Sequence, residues 1–322
     1  MTSAAQRRHI GVVYSLGGAL SAAVYIFPYK QAGALAPPWA LAWALLLGSA
    51  TMNSVSAWLI ERRRSAILDA SPAPAVSLWR SIEWRIAAGL ALLAVTGNVA
   101  SAAALEHLPP AITTVLLRTE LIFVTALGIL LLKERPSLAF YAGALLALSG
   151  LCIMQLAPGA PRSWLGVFWG LCAAASFGAM QVLTRAFIHR IRPPYVNAVR
   201  LWMATALLSF VPGAVSAARH AGLRFWGLVA LAALFGPFIG RLCIMWSLRS
   251  LAAAESALLL LLSPVMAFAI GYFVFGNVPR SRELLGGALM LCGIALPPLA
   301  ALVIQRARAK TAARAPGTNI DS

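Results

Sequence analysis

Long apolar stretches alternate along this chain with short polar or proline-bearing breaks, a pattern that predicts ten helices of membrane length. They lie near 10–30, 37–60, 82–104, 109–132, 137–157, 164–187, 195–214, 224–248, 253–275 and 283–304. A helix crossing hydrocarbon needs roughly 20 apolar residues at 1.5 Å each, and these stretches supply them. Breakers separate them: Pro37-Pro38, Pro72 with Pro74, Pro109-Pro110, Pro136, Pro158 with Pro161, Pro193-Pro194, Gly222 and Pro279. Most connections are short, so consecutive helices must pack as neighbours. The first apolar run is too long for a cleaved leader and lacks a small-residue cleavage site, so it reads as a retained span.

The pattern is written twice. With an offset of 143, Gly97 falls on Gly240, Leu108 on Leu251, Pro136 on Pro279, Gly143 on Gly286 and Gly150 on Gly293. The first stretch behaves alike, pairing Gly11 with Gly166, Ser21 with Ser176 and Lys30 with Arg185. Five spans therefore repeat as five. An odd number makes the second copy enter from the opposite side of the membrane, the inverted arrangement of secondary transporters. The expected fold class is an all-α integral membrane protein. Its first five-helix repeat is 1–158, its second 159–306, and a disordered cytoplasmic tail is expected over 307–322.

Composition agrees: 61% of residues are hydrophobic and 11% charged, outside the range of soluble domains. The net charge of +17 would suit nucleic acid, but the basic residues cluster at the ends of apolar runs. That distribution sets membrane topology instead. Arg7, Arg8, Arg62, Arg63, Arg64, Arg80, Arg85, Lys133, Arg135, Arg185, Arg190, Arg192, Arg249, Arg306, Arg308, Lys310 and Arg314 share one side. Lys30, Arg162, Arg219, Arg224, Arg280 and Arg282 share the other. Both termini are therefore expected in the cytoplasm, and richness in alanine and arginine points to a bacterial inner membrane. Cys152, Cys172, Cys243 and Cys292 lie in apolar runs without metal spacing and read as inert, buried thiols. The four histidines sit near span ends, and no phosphate-binding loop precedes a lysine. No enzyme, cofactor or metal is expected. The expected partners are a small-molecule substrate and membrane lipids, with the chain a monomer or homodimer.

The segment LPPAITTVLLRTELIFVTALGILLLKERPSLAFYAGALLALSG closes the first half. With the five-plus-five pattern, it resembles the EamA family of the drug/metabolite transporter superfamily. The most specific element is the span closed by Lys133-Glu134-Arg135-Pro136 and followed by Gly143 and Gly150. The second half has Asn277 where the first has Glu134, which weakens a role for the glutamate itself and suits a helix-end or loop role. The resemblance implies a cavity lined by spans 1, 3, 4, 6, 8 and 9, with 5 and 10 as scaffold. It also implies small metabolites, often amino acids, and often export.

Inside LLRTELIF, Arg118 and Glu120 stand at mid-depth, where each costs roughly 2.5–3.5 kcal/mol to insert. Two residues apart on a helix, they point in nearly opposite directions, so each is expected to need a partner elsewhere or a wet cavity. Arg241 and Glu255 are the candidates, and the four together carry no net charge. They are either a binding site or staples between the halves, and Glu255 also suits a helix cap. Asn98 matches Arg241 across the repeat, as a site residue or an interhelical hydrogen bond. Tyr14, Gly18, Ser21 and Tyr25 form one face of span 1. Trp169, Ser176 and Gln181 form a looser one in span 6, suited to substrate or to packing. Lys30 and Arg185 read as snorkelling anchors. The expectation is a secondary transporter of a small polar metabolite, an amino acid or related zwitterion. Arg118 would hold its carboxylate, and Glu120 its amine or a coupling proton. The alternatives are efflux of hydrophobic organic cations, or a receptor or scaffold without flux.

Overall fold

The computed structural model describes residues 4–67, 81–155, 163–276 and 280–314, and all regular structure among them is helical. Pro72, Pro74, Pro158, Pro161, Asn277, Pro279 and the last residues of the expected tail lie outside the described residues. Fourteen helical segments follow the breakers: α1 Ala4–Gly33, α2 Pro38–Ile67, α3 Ser81–His107, α4 Pro110–Arg118, α5 Glu120–Leu132, α6 Leu138–Gln155 and α7 Trp164–Phe187. After these come α8 Pro193–Leu208, α9 Ala214–His220, α10 Gly222–Ala233, α11 Arg241–Ser247, α12 Ala253–Leu260, α13 Leu262–Phe275 and α14 Ser281–Arg314. A π-helical turn, Leu234–Gly240, joins α10 to α11.

Among the described residues, nine stretches are long and apolar enough to cross a membrane. The span expected over 195–214 differs. Helix α8 has 16 residues, about 24 Å at 1.5 Å each, and stops before Pro212 and the left-handed Gly213 (φ 79°). At the other end of the chain, α14 runs past the expected boundary at 306, so residues 307–314 are helical.

Three spans are broken rather than continuous. Pro264 cannot donate to the carbonyl four residues back, which separates α12 from α13 at Leu261. In the first half no proline does this. Thr119 instead turns its hydroxyl back onto the Leu116 carbonyl at 2.6 Å, and its own N–H bonds the same oxygen at 3.0 Å, tightening the turn between α4 and α5. Pro237 lies within the π-helical turn that interrupts the third. Both α5 and α13 end in a left-handed residue, Lys133 (φ 55°) and Gly276 (φ 68°), which are 143 positions apart.

The tightest contacts pair residues across the halves. A Cβ on Gly143 would strike the Gly293 carbonyl, and one on Gly150 would strike the Gly286 carbonyl, so α6 and α14 cross backbone to backbone. Gly11 rests on Leu251, and Gly166 rests on Leu108. In each case the sequence mates exchange partners. The same exchange governs whole elements: α1 packs on α10 to α13, while α7 packs on α3 to α5.

Ion pairs also join the halves. Buried Glu83 on α3 accepts from Arg192 Nη2 at 3.0 Å and from the Arg192 backbone N–H at 3.1 Å, with Glu61 of α2 at 3.8 Å. The hydrogen bond that Arg192 donates to Glu83 raises its guanidinium above its ordinary range. Replacing Glu83 by alanine should cost about 2 kcal/mol, because Arg192 is partly solvated and the full buried-pair penalty does not apply. The check is the melting temperature of purified protein, expected to fall by several degrees; an unchanged value would show the pair to be idle.

Candidate functional site

The break at Thr119 decides the fate of the charged pair. On an unbroken helix Arg118 and Glu120 would diverge, yet here one ends α4 and the other starts α5. Their side chains meet, Nη1 to Oε1 at 3.7 Å, which corrects the expectation that the two point apart and cannot pair with each other. The turn changes the direction of the second side chain, and the arginine is long enough to follow it. Arg118 Nη2 also donates to Ser263 of α13 at 3.1 Å. Ser263 is the residue 143 positions after Glu120, so the arginine spans the two equivalent breaks. The pair stays partly open, at 27% and 19% side-chain exposure. Gly178 of α7 lets that helix close onto the Glu120 carbonyl.

Arg241 joins this centre from the other half. It follows the π-helical turn, donates to Thr184 Oγ1 at 2.9 Å, and acts electrostatically on Glu120. Its Nε is buried without a hydrogen-bond partner. Around the turn, Ser21 donates to the Phe235 carbonyl and Asn197 to the Pro237 carbonyl at 3.0 Å. These take up two carbonyls of the disrupted helix.

Sequence reasoning missed Arg200, Asn197 and Asn53. Arg200 is a buried guanidinium on α8 that donates twice to Asn197 Oδ1, at 3.1 and 2.7 Å. Asn197 donates in turn to Asn53 Oδ1 at 2.9 Å. The depth criterion that singled out Arg118 passes over Arg200, which stands only about 7.5 Å into the expected 195–214 stretch, within snorkelling reach.

Other expected site residues lie apart. Glu255 pairs with Arg8 at 2.9 Å, both well exposed, so it leaves the central charge balance, where Arg200 replaces it. The four charges expected to cancel thus become three guanidiniums against one carboxylate. Asn98 bonds its own helix, at the Ala94 carbonyl (2.6 Å), and does not cross to a neighbour in that bond. Tyr14 packs against Trp246, ring centres 5.4 Å apart, and Tyr25 packs against Tyr29 at 5.0 Å and over Gly236. This places the α1 face on α11 and the π-helical turn. Trp169 contacts Phe168, and buried Gln181 donates to the Ala253 carbonyl at 3.5 Å.

Glu134 accepts from the Ala253 N–H at 2.9 Å and so caps α12, a helix-end role. Arg185 reaches Glu134 at 3.9 Å and donates to the Leu248 carbonyl, so it is an internal tie rather than a snorkelling anchor. Cys292 is exposed on α14, against the expectation of four buried thiols; the other three are partly buried. A separate groove of about 570 Å³ between α13 and α14 is mostly apolar, lined by Val265, Phe268, Tyr272 and Leu291.

Comparison with known proteins places this geometry in context. The model of the EamA-like transporter family matches residues 9–156 and 164–297. A Streptantibioticus cattleyicolor protein named "Probable terminal-alkyne amino-acid exporter" is 27% identical over 191 residues, 59% of this chain and 64% of its own length. An uncharacterized transporter of Archaeoglobus fulgidus is 25% identical over 207 residues, 64% of this chain and 73% of its own. One of Bacillus subtilis is 27% identical over 188 residues, 56% and 64% respectively. The chain thus spans just under two thirds of the length of the first and third. A solved crystal structure covering 92% of this chain and 98% of its own superposes with a TM-score of 0.70 at 19% identity, which shows a shared fold.

Proposed function

The chain belongs to the EamA-like transporter family, and from that premise we propose that it is a secondary transporter of a small polar metabolite, an amino acid or related zwitterion. The observation that carries this is the partly open Arg118–Glu120 pair at a helix break, facing Ser263 of the opposite half. A carboxylate would take Arg118 and an ammonium Glu120, so a zwitterion replaces the 3.7 Å contact with two closer ones. Intramembrane charges next to broken helices are the usual furniture of midplane substrate sites.

Alternating access between two inverted halves of five spans, with α8 as the seventh, explains the exchange of partners by Gly11, Gly166, Gly143 and Gly150. In this reading residues 1–158 and 159–306 are the halves. The ion pairs joining them, Arg8–Glu255, Arg192–Glu83 and Arg185–Glu134, all fall at span ends that the basic clusters assign to the cytoplasm. They would hold that side shut while the other is open. The same clusters favour cytoplasmic termini, and the richness in alanine and arginine favours a bacterial inner membrane. The exporter relative favours outward movement of amino acids. Three guanidiniums against one carboxylate weigh against organic cations as cargo. As an alternative to holding the amine, Glu120 would carry a coupling proton.

The test is flux. Purified protein in liposomes loaded with labelled amino acids should release a subset of them faster than protein-free vesicles, in step with an imposed proton gradient. Release of organic cations alone would favour the efflux alternative. No flux of amino acids, organic anions or organic cations would favour a receptor or scaffold.

A further inference from the structure

Arg200 is an anomaly of charge. It is 5% exposed, and its hydrogen-bond partners, Asn197 Oδ1 and the Met180 sulfur at 3.7 Å, are neutral. Among the described residues no carboxylate pairs with it, and the charged group that acts on it is another cation, Arg241. The two share a platform on α7. Arg200 Nη1 points at Met180 and Arg241 Nη2 at Thr184, one helical turn further on. The Arg241 Nε is buried and unpartnered. Both are also tied to the π-helical turn, Arg241 by following it and Arg200 through the Asn197 bond to the Pro237 carbonyl.

Adjacent buried cations repel, and a buried charge without a counter-ion is among the costliest features a fold can carry. A purely structural strut would not need it, since a neutral side chain of similar volume does that work as well or better. Glu120 cannot balance the set. It serves Arg118 and Arg241 at once, leaving two positive charges uncompensated within the helical core. An anion arriving from solution would repay the deficit at the moment of binding.

We infer that Arg241 and Arg200 form a second anion seat, beside the one on Arg118, that takes a second acidic group of the cargo. The cargo class is then a diacid, such as an amino acid with a carboxylate side chain, rather than a neutral amino acid. This rests on the transport reading, with Arg118 as the first seat. Arg241 makes the contact through its free Nε edge, and Arg200 reinforces the field behind it. The Asn197–Asn53 network holds Arg200 in place.

The experiment measures binding by ligand-induced thermal shift, and uptake into liposomes, for L-glutamate, L-alanine and succinate. Wild type is compared with Arg241→Gln and Arg200→Gln. Wild type should prefer L-glutamate to L-alanine by about tenfold or more, the worth of a charge-assisted contact. Arg241→Gln should bring that ratio close to one. A wild-type ratio near one, or a ratio unmoved by Arg241→Gln, overturns the second seat and leaves the transport reading standing. Binding of succinate with neither amino acid would keep the seat, provided Arg241→Gln abolishes it, and would refute the zwitterion. If none of the three probes binds or moves, the second seat falls, and the transport reading falls with it when the wider flux experiment is negative as well. Arg200→Gln tests the supporting role, and should it not fold, Arg241→Gln decides alone.

Discussion

Gly286→Ala should leave little folded protein, whereas Gly287→Ala, one residue away, should fold as well as wild type. At Gly286 a new Cβ would lie 2.5 Å from the Gly150 carbonyl and 2.8 Å from the Met154 backbone N. Backbone cannot swing aside as a flexible side chain can, so α6 and α14 would have to separate. That forfeits the contacts of the whole crossing, which includes Gly143 against Gly293 further along. Overpacking of this kind costs about 3 kcal/mol or more, in a setting where helix association depends on close van der Waals fit. At Gly287 nothing lies within 4 Å of the same atom, and alanine gains up to about 1 kcal/mol in helix propensity. The measurement is the monodisperse fraction after detergent extraction, with the melting temperature of what remains. Equal behaviour of the two variants would mean that the crossing is not as tight as described.

Removing the arginine of the central pair should abolish transport without abolishing the fold. Arg118→Gln loses the ion pair with Glu120 and the charge on the bond to Ser263, and it leaves Glu120 facing Arg241 alone. Substrate affinity should fall by about a hundredfold, since a charge-assisted hydrogen bond is worth roughly 1.5–3 kcal/mol and its partner is left unmatched. Glu120→Gln should differ. If Glu120 carries the coupling proton, exchange of substrate down its own gradient survives, while acceleration by a proton gradient disappears. Counterflow and gradient-driven uptake in the same liposomes separate the two. Unchanged gradient dependence in Glu120→Gln removes the proton role. Unchanged counterflow in Arg118→Gln makes the pair a staple between helices.

The membrane class, nine of the ten expected spans and the two repeats were readable along the chain because each depends on local pattern. Apolar runs, prolines and glycines act through the backbone within a few residues, and the offset of 143 needs only comparison. The family resemblance on the Lys133-Glu134-Arg135-Pro136 segment is likewise matched by the family model over both halves. The site is another matter. Which residue meets Arg118 depended on Thr119 turning its hydroxyl onto Leu116, a choice between helix and turn that a threonine leaves open until its neighbours pack.

Side-chain partners across the bundle were decided by tertiary structure alone. Glu255 went to Arg8 at the membrane end, and Arg200 came to the centre instead. The sequence determined that charges are buried in this protein, because intramembrane depth is counted along one helix. Only the packing of α4, α7, α8 and α11 decided which of them share a volume, and hence that the volume is positive. Electrostatic balance is a property of distances between helices, and those distances are written in no single one of them.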